Sequence, residues 1–310
     1  MLRSLPLAAA VLALALPLAS ACAQPTGLDA AGSDTGEIPD PGRPALAECQ
    51  APLPGWIWCD DFEEDRLGSY FEILNPGGSF EPAEGVGLDG SRGMRARWGE
   101  GQVNAGALHL AVGRSPDGSD GYRRSVGPHD RDVRALYWRV WVRFQDGWVG
   151  DGADKLSRAT LFYTPEHWGQ AMAAQVWTGG PGNRHLVLDP ASGTDEAGTP
   201  LAQGYNDPQR WLGAAVSENP ILGSGGQGAW RCVEAYVRLN DPGLSNGEFR
   251  LWIDDRAEAE RTDLNWVGAY QGYGINAVFV ENYWNAGSPV AQERYLDNFV
   301  VSTERIGCLR

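Results

Sequence analysis

Tyr137, Arg139, Trp141 and Arg143 occupy every second position of the stretch RALYWRVWVRFQDGW, so a strand through it would carry all four on one face. Flat aromatic rings stack on the C–H faces of sugars, and guanidinium groups bond hydroxyls and carboxylates beside them. Further along stand Lys155 and Arg158 in DKLSRAT, Gln175 and Trp177 in QVW, His185 in RHLVLDP, Tyr236 in EAYVRLN, and Tyr283 and Asn285 in ENYWN. Such residues are suited to β-elimination on a uronate-containing glycan. An Arg, Asn or Gln neutralises the sugar carboxylate and so acidifies the adjacent carbon. A Lys, His or Tyr then removes that proton and supplies one to the leaving oxygen. Arg139, Lys155, Gln175, His185 and Tyr283 are the candidates for catalysis. Tyr137, Trp141, Arg143, Arg158, Trp177, Tyr236 and Asn285 are the candidates for substrate binding. The same residues would also serve a carbohydrate-binding or adhesion protein with no catalysis, so both functions stay open. Retaining hydrolysis is disfavoured: it needs two carboxylates about 5 Å apart, and no strand carries an E-x-D-x-E pattern.

The elements that position these groups are strands. Stretches such as GMRARWG, GALHLAV, SRATLFYT and INAVFVENYWN alternate apolar and polar residues, and turn signals such as GGPGN and DPGLSNG separate them. One hairpin is explicit: Val233, Ala235, Val237 and Leu239 share one face, and Phe249, Leu251 and Ile253 continue it after the turn. In RALYWRVWVRF the core-facing row is Leu136, Trp138, Val140, Val142 and Phe144. No window shows a convincing helical period. Many short strands with 41 Gly and 20 Pro predict an all-β fold, a two-sheet antiparallel sandwich. The 13 Trp exceed what a core comfortably absorbs, which favours an aromatic binding floor.

CDDFE near the start, the run from WRCVEAYVRLN to NGEFRLWID, and YLDNFVVST at the end resemble the concanavalin-A-like jelly rolls over roughly residues 56–308. That superfamily includes bacterial polysaccharide lyases, endo-glucanases and laminin-G-like lectin domains. The resemblance implies a jelly roll that recognises glycans on its concave sheet. One alginate-lyase group carries R-x-E-L-R, Q-x-H and Y-x-K-x-G-x-Y on those strands. Here Trp141 stands for the Glu, Trp177 for the His, and ENYWN lacks the Lys, so those roles do not transfer directly. No characterised subfamily is assigned.

MLRSLPLAAAVLALALPLAS has a basic start and an apolar run, then small residues: a secretory signal over residues 1–21. LASAC also resembles a lipobox, in which Cys22 would carry a lipid anchor. Periplasmic, outer-membrane-tethered and extracellular locations therefore stay open. Residues 22–48, rich in Pro, Gly and acid, read as a disordered linker, and residues 49–310 as one domain. Four further cysteines in an exported chain imply two disulfides; the favoured pairs are Cys49–Cys59 and Cys232–Cys308. Cysteine spacing fits no zinc site, and no cofactor is required. Asp297 and Asn298 could hold a structural calcium ion or cap the last strand. A net charge of −15 argues against nucleic acid and anionic membrane as partners. The expected partner is a polysaccharide bound by a monomer, with membrane contact only through the lipid.

Overall fold

The computed structural model describes residues 45–116, 125–127, 129–223 and 227–308. The signal segment, Cys22 and the linker up to residue 44 lie outside them. Sixteen strands follow one another: β1 (Trp56–Asp60), β2 (Glu72–Leu74), β3 (Phe80–Ala83), β4 (Gly93–Trp98), β5 (Asn104–Ala111), β6 (Ala135–Phe144), β7 (Asp154–Phe162) and β8 (Gln170–Gly179). Then come β9 (His185–Ser192), β10 (Arg210–Trp211), β11 (Ala215–Val216), β12 (Trp230–Arg238), β13 (Gly247–Ile253), β14 (Arg256–Leu264), β15 (Ala277–Trp284) and β16 (Gln292–Ser302). The helical turns among the described residues are short 3-10 segments.

Two antiparallel sheets of eight strands result. The first runs β14-β13-β12-β6-β16-β4-β3, with β1 also on β16; the second runs β10-β9-β8-β7-β15-β5-β2, with β11 also on β9. The all-β expectation holds, and so does the alternation that led to it. Leu136, Trp138, Val140, Val142 and Phe144 all enter the core between the sheets. So do Val233, Ala235, Val237, Leu239, Phe249, Leu251 and Ile253. Six of the tryptophans (Trp98, Trp138, Trp141, Trp148, Trp266 and Trp284) are buried. The core therefore takes more of the 13 than the sequence suggests.

Both expected disulfides are present, Cys49–Cys59 and Cys232–Cys308. They fit an oxidising environment. No helix among the described residues is long and apolar enough to cross a membrane.

The outer row of β6 departs from expectation. Arg139 is fully buried and bonds both oxygens of Glu48 at 2.7 and 2.5 Å. It also donates to the carbonyls of Gly307 and Asn298. Glu48 in turn accepts from Asn298 Nδ2 at 2.8 Å. Glu234 on β12 accepts the backbone N–H groups of Ile306 and Gly307. The turn Ala45–Gln50 and the segment after β16 thus cover this part of the first sheet, and each is fastened by a disulfide. The 3-10 turn that carries Glu48 and Cys49 begins at Ala45. Asp297 accepts from Leu88 N at 2.6 Å and Asn298 N at 2.8 Å, so its carboxylate serves backbone donors.

Truncating one member of a buried ion pair leaves the other charge without compensation, which costs about 3–5 kcal/mol. Arg139→Met is therefore expected to lower unfolding free energy by that amount in urea titration. The double variant Arg139→Met/Glu48→Leu is expected to recover a large part of the loss.

Candidate functional site

The chemistry-bearing side chains that the fold gathers lie on the outer face of the second sheet. Register places them. His109 on β5 opposes Phe279 on β15, which opposes Arg158 on β7. Arg158 opposes Gln175 on β8, and Gln175 opposes Asp189 on β9. One row thus crosses five strands. A neighbouring row sets Tyr283 opposite Lys155, and Lys155 opposite Trp177. Register shifts between Val280 and Tyr283 and between Lys155 and Ser157 interrupt pairing at these residues. Such bulges re-aim side chains beside sites.

A cavity of about 320 Å³ opens here, lined by His109, Lys155, Arg158, Tyr205, Glu281 and Tyr283 together with Asn104 and Asn206. That volume lies at the lower end of the range typical of ligand pockets. Arg158 donates to Glu281 at 2.7 Å, to Asn206 at 3.0 Å, and to the Tyr205 hydroxyl. The Lys155 ammonium lies 4.7 Å from the centre of the Tyr283 ring. Tyr283 is 37% exposed, whereas Lys155 is 6% exposed. Burial pushes the Lys155 pKa down, against the pull of Glu281, and the nearby Arg158 charge adds to the lowering. His109 sets Nδ1 2.6 Å from Glu72 and stacks on Phe279 at 3.7 Å. A carboxylate only accepts, so Nδ1 carries the proton, and in neutral imidazole Nε2 holds the lone pair. The same bond holds Glu72 below the usual carboxylate range. Burial pushes the Tyr205 phenol up.

Beneath the cavity a buried guanidinium joins the two sheets. Arg294 on β16 bonds both oxygens of Asp154 on β7, at 3.0 and 2.9 Å. It also donates to the carbonyls of Lys155 (2.8 Å) and Glu281 (2.6 Å) and to Asn282 Oδ1. The backbone of the two cavity residues is held from below by one side chain.

The structure brings together Lys155, Arg158 and Tyr283 from the sequence-derived set, with Gln175 and Trp177 on the adjoining strand. It separates the others. Arg139 and Trp141 are buried on the first sheet, Trp141 packing with Leu88 and Cys232. Arg143 stacks on Tyr295 and Trp230. Tyr137 and Tyr236 face each other across β6 and β12, ring centroids 4.4 Å apart. These five belong to the opposite sheet and cannot join the cavity, and buried Arg139 and Trp141 offer no surface for the aromatic floor expected on β6. His185 begins β9 with Nδ1 2.8 Å from the Ser217 carbonyl oxygen, and Asn285 is exposed beyond the end of β15. Neither lines the cavity. Sequence reasoning missed His109, Glu72, Glu281, Tyr205 and Asn206. Only His109 gave a signal, as a polar residue out of phase with Leu108 and Leu110.

No protein-family model matches the chain, and no curated protein is detectably similar in sequence. Solved structures share its fold. The marine PL-14 alginate lyase from Aplysia kurodai superposes with a TM-score of 0.56 at 13% identity, over 80% of this chain and 99% of that one. An endo-β-1,4-glucuronan lyase from the fungus Trichoderma reesei gives 0.53 at 12%, over 80% and 96%. An alginate lyase from Chlorella virus gives 0.52 at 12%, over 80% and 100%. The architecture is the concanavalin-A-like jelly roll of these polysaccharide lyases; at such identities the likeness is one of fold.

Replacing Arg294 by Met strands Asp154 in the core, at a cost of about 3–5 kcal/mol. The expected outcome is that loss in a denaturant titration, with Arg294→Met/Asp154→Leu recovering much of the stability. Both variants should show faster amide exchange at Lys155 and Glu281, where the carbonyl anchors have gone.

Proposed function

We propose that the protein is a polysaccharide lyase that cleaves a uronate-containing glycan by β-elimination in the cavity of the second sheet. The observation that carries this reading is the convergence of three groups. They are a buried lysine with a lowered pKa, a half-exposed tyrosine ring 4.7 Å from it, and an arginine on the same strand. Arg158 and Asn206 present positive charge and amide donors toward the uronate carboxylate, which stabilises the carbanion-like charge that develops there. The neutral Lys155 amine takes the C5 proton. The Tyr283 hydroxyl gives its proton to the departing O4 as the C4–O4 bond breaks and C4=C5 forms. Glu281 is the single carboxylate among the described lining residues, whereas retaining hydrolysis would need two. The likeness of fold to alginate and glucuronan lyases supports the same class of chemistry.

One observation favours a second reading, glycan binding without cleavage. Arg158 already bonds Glu281, Asn206 and Tyr205, which limits what it can offer a substrate.

Incubation with alginate, glucuronan, pectate and glycosaminoglycans is expected to raise ultraviolet absorbance from the new double bond with one of them. Lys155→Arg and Tyr283→Phe should each lose about 10²–10⁴-fold in kcat, the range for removal of a general base or acid. The pH dependence has a definite sign. Lys155 is active as the free amine, so kcat/KM rises with pH through its lowered pKa, below the 10.5 of an ordinary lysine. Were Lys155 instead the cation that neutralises the carboxylate, activity would fall over that range. No absorbance on any polymer, with retardation in polysaccharide gels, would select the binding reading.

A further inference from the structure

His109 stands in the cavity wall with one ring nitrogen engaged and the other open. It lies on β5 between Leu108 and Leu110 of the core, so its side chain takes the outer face of the second sheet. Two rings and a carboxylate fix the imidazole. Phe279, its register partner on β15, stacks on it at 3.7 Å, and Phe71 lies 5.8 Å away. Glu72, its register partner on β2, accepts from Nδ1 at 2.6 Å. A ring held at one face and at one nitrogen has little freedom to turn, which sets the direction of Nε2.

Nε2 carries the lone pair in the neutral ring. It has no hydrogen-bond partner among the described residues, and unlike His167 Nδ1 it is not sealed from solvent. His109 as a whole is buried but lines the cavity, so the access its ring keeps is from the cavity side. The neighbours leave room there. Ala107, two residues earlier on the same face, opposes Glu281 and contributes a methyl group to the floor. Two strand spacings, roughly 10 Å, separate β5 from the strand of Lys155. A sugar bound beside Lys155 therefore turns its far edge, and the hydroxyls on it, toward His109. A neutral imidazole nitrogen accepts from a hydroxyl and has nothing to give a carboxylate.

Resting on the cavity assignment above, we propose that His109 Nε2 accepts a hydrogen bond from a ring hydroxyl of the sugar held beside Lys155, and that Glu72 is the positioning residue that aims it. The bond is made in the bound substrate and kept as the glycosidic bond breaks, so it contributes to binding and leaves the chemical step alone. Glu72 acts through the tautomer: as an acceptor it keeps the proton on Nδ1 and the lone pair on Nε2.

The test starts from His109→Phe, which keeps a ring on Phe279 and has no nitrogen. KM for the polymer that wild type cleaves is expected to rise about tenfold while kcat holds, the size of one lost hydrogen bond. Glu72→Ala should raise KM in the same direction, and Glu72→Gln, whose amide oxygen still accepts from Nδ1, should restore it. Imidazole nitrogen NMR reads the tautomer directly. The chain has four His, and the His109 signals are those lost in His109→Phe. Polymer added to Lys155→Ala protein is expected to move the Nε2 signal and leave Nδ1 in place. An unchanged KM in His109→Phe, a fall in kcat in its stead, or an Nε2 signal that bound polymer does not move overturns the proposal. If wild type cleaves none of the polymers, the lyase reading fails on its own. The hydroxyl contact is then read in affinity gels: it stands if His109→Phe is retarded less than wild type, and falls if the two run alike.

Discussion

The site depends on one buried guanidinium. Arg294 leaves the first sheet, crosses the sandwich and ends in a complete set of acceptors on the second: the Asp154 carboxylate, Asn282 Oδ1 and the carbonyls of Lys155 and Glu281. Trp98 and Phe144 lie against it at 5.1 and 5.7 Å. Burying an arginine is costly unless oxygens receive its donors, and Arg294 leaves no donor nitrogen unmet. The two bulged strands meet that demand because their interrupted pairing frees carbonyl groups to point inward. In β7 the interruption brings Lys155 to the face that Glu281 and Tyr283 share with Phe279 by simple alternation. The cross-sheet pair and the cavity are two sides of one distortion.

The two outer faces have different fates for a non-local reason. On the first sheet, chain ends held by disulfides lie over β6 and β12, and Glu48 and the segment after β16 occupy Arg139 and Glu234. An arginine in an aromatic row then becomes a structural anchor. On the second sheet the loop carrying Tyr205 and Asn206 reaches only as far as Arg158, which leaves the space beside Lys155 open. Alternation along β6 and along β7 is similar; what covers each strand differs.

That contrast explains what could be read in advance. Faces of single strands were legible, because side-chain direction alternates with period two whatever the rest of the chain does. The rows of Leu136 to Phe144 and Val233 to Leu239 needed nothing beyond that rule, and two disulfides were expected from four cysteines, the favoured of three pairings being the one present. Which sheet would carry the site was not legible. Arg139 and Arg158 look alike in sequence, and only the destinations of Glu48 and Glu281, 91 and 123 residues away, separate them. Lys155 and Tyr283 were picked by residue type, but their contact arises from pairing between β7 and β15 that no local pattern encodes. Glu72 and Tyr205 were hidden for the same reason, since each matters only through a partner on another strand or loop.

Buried polar atoms without a hydrogen-bond partner among the described residues occur on both sheets and in the core, Arg139 Nε and Arg143 Nε on β6 and Trp98 Nε1 and Trp266 Nε1 between the sheets among them. Arg158 Nε, Glu281 Oε2 and Gln175 Oε1 are buried atoms without a hydrogen-bond partner among the described residues, and all three belong to adjoining strands of one face. Each such atom costs about 1–3 kcal/mol if it stays unpaired, and the lysine beside them is held against its preference for water. What sets the second sheet apart is that Arg158 and Glu281 line an open cavity above a guanidinium that fixes the backbone beneath, whereas on the first sheet Arg139 is covered by Glu48 and the segment after β16. On the proposed reading, a uronate glycan in that cavity brings hydroxyl donors to Glu281 and negative charge to Lys155 and Arg158, the two kinds of group the protein itself leaves short.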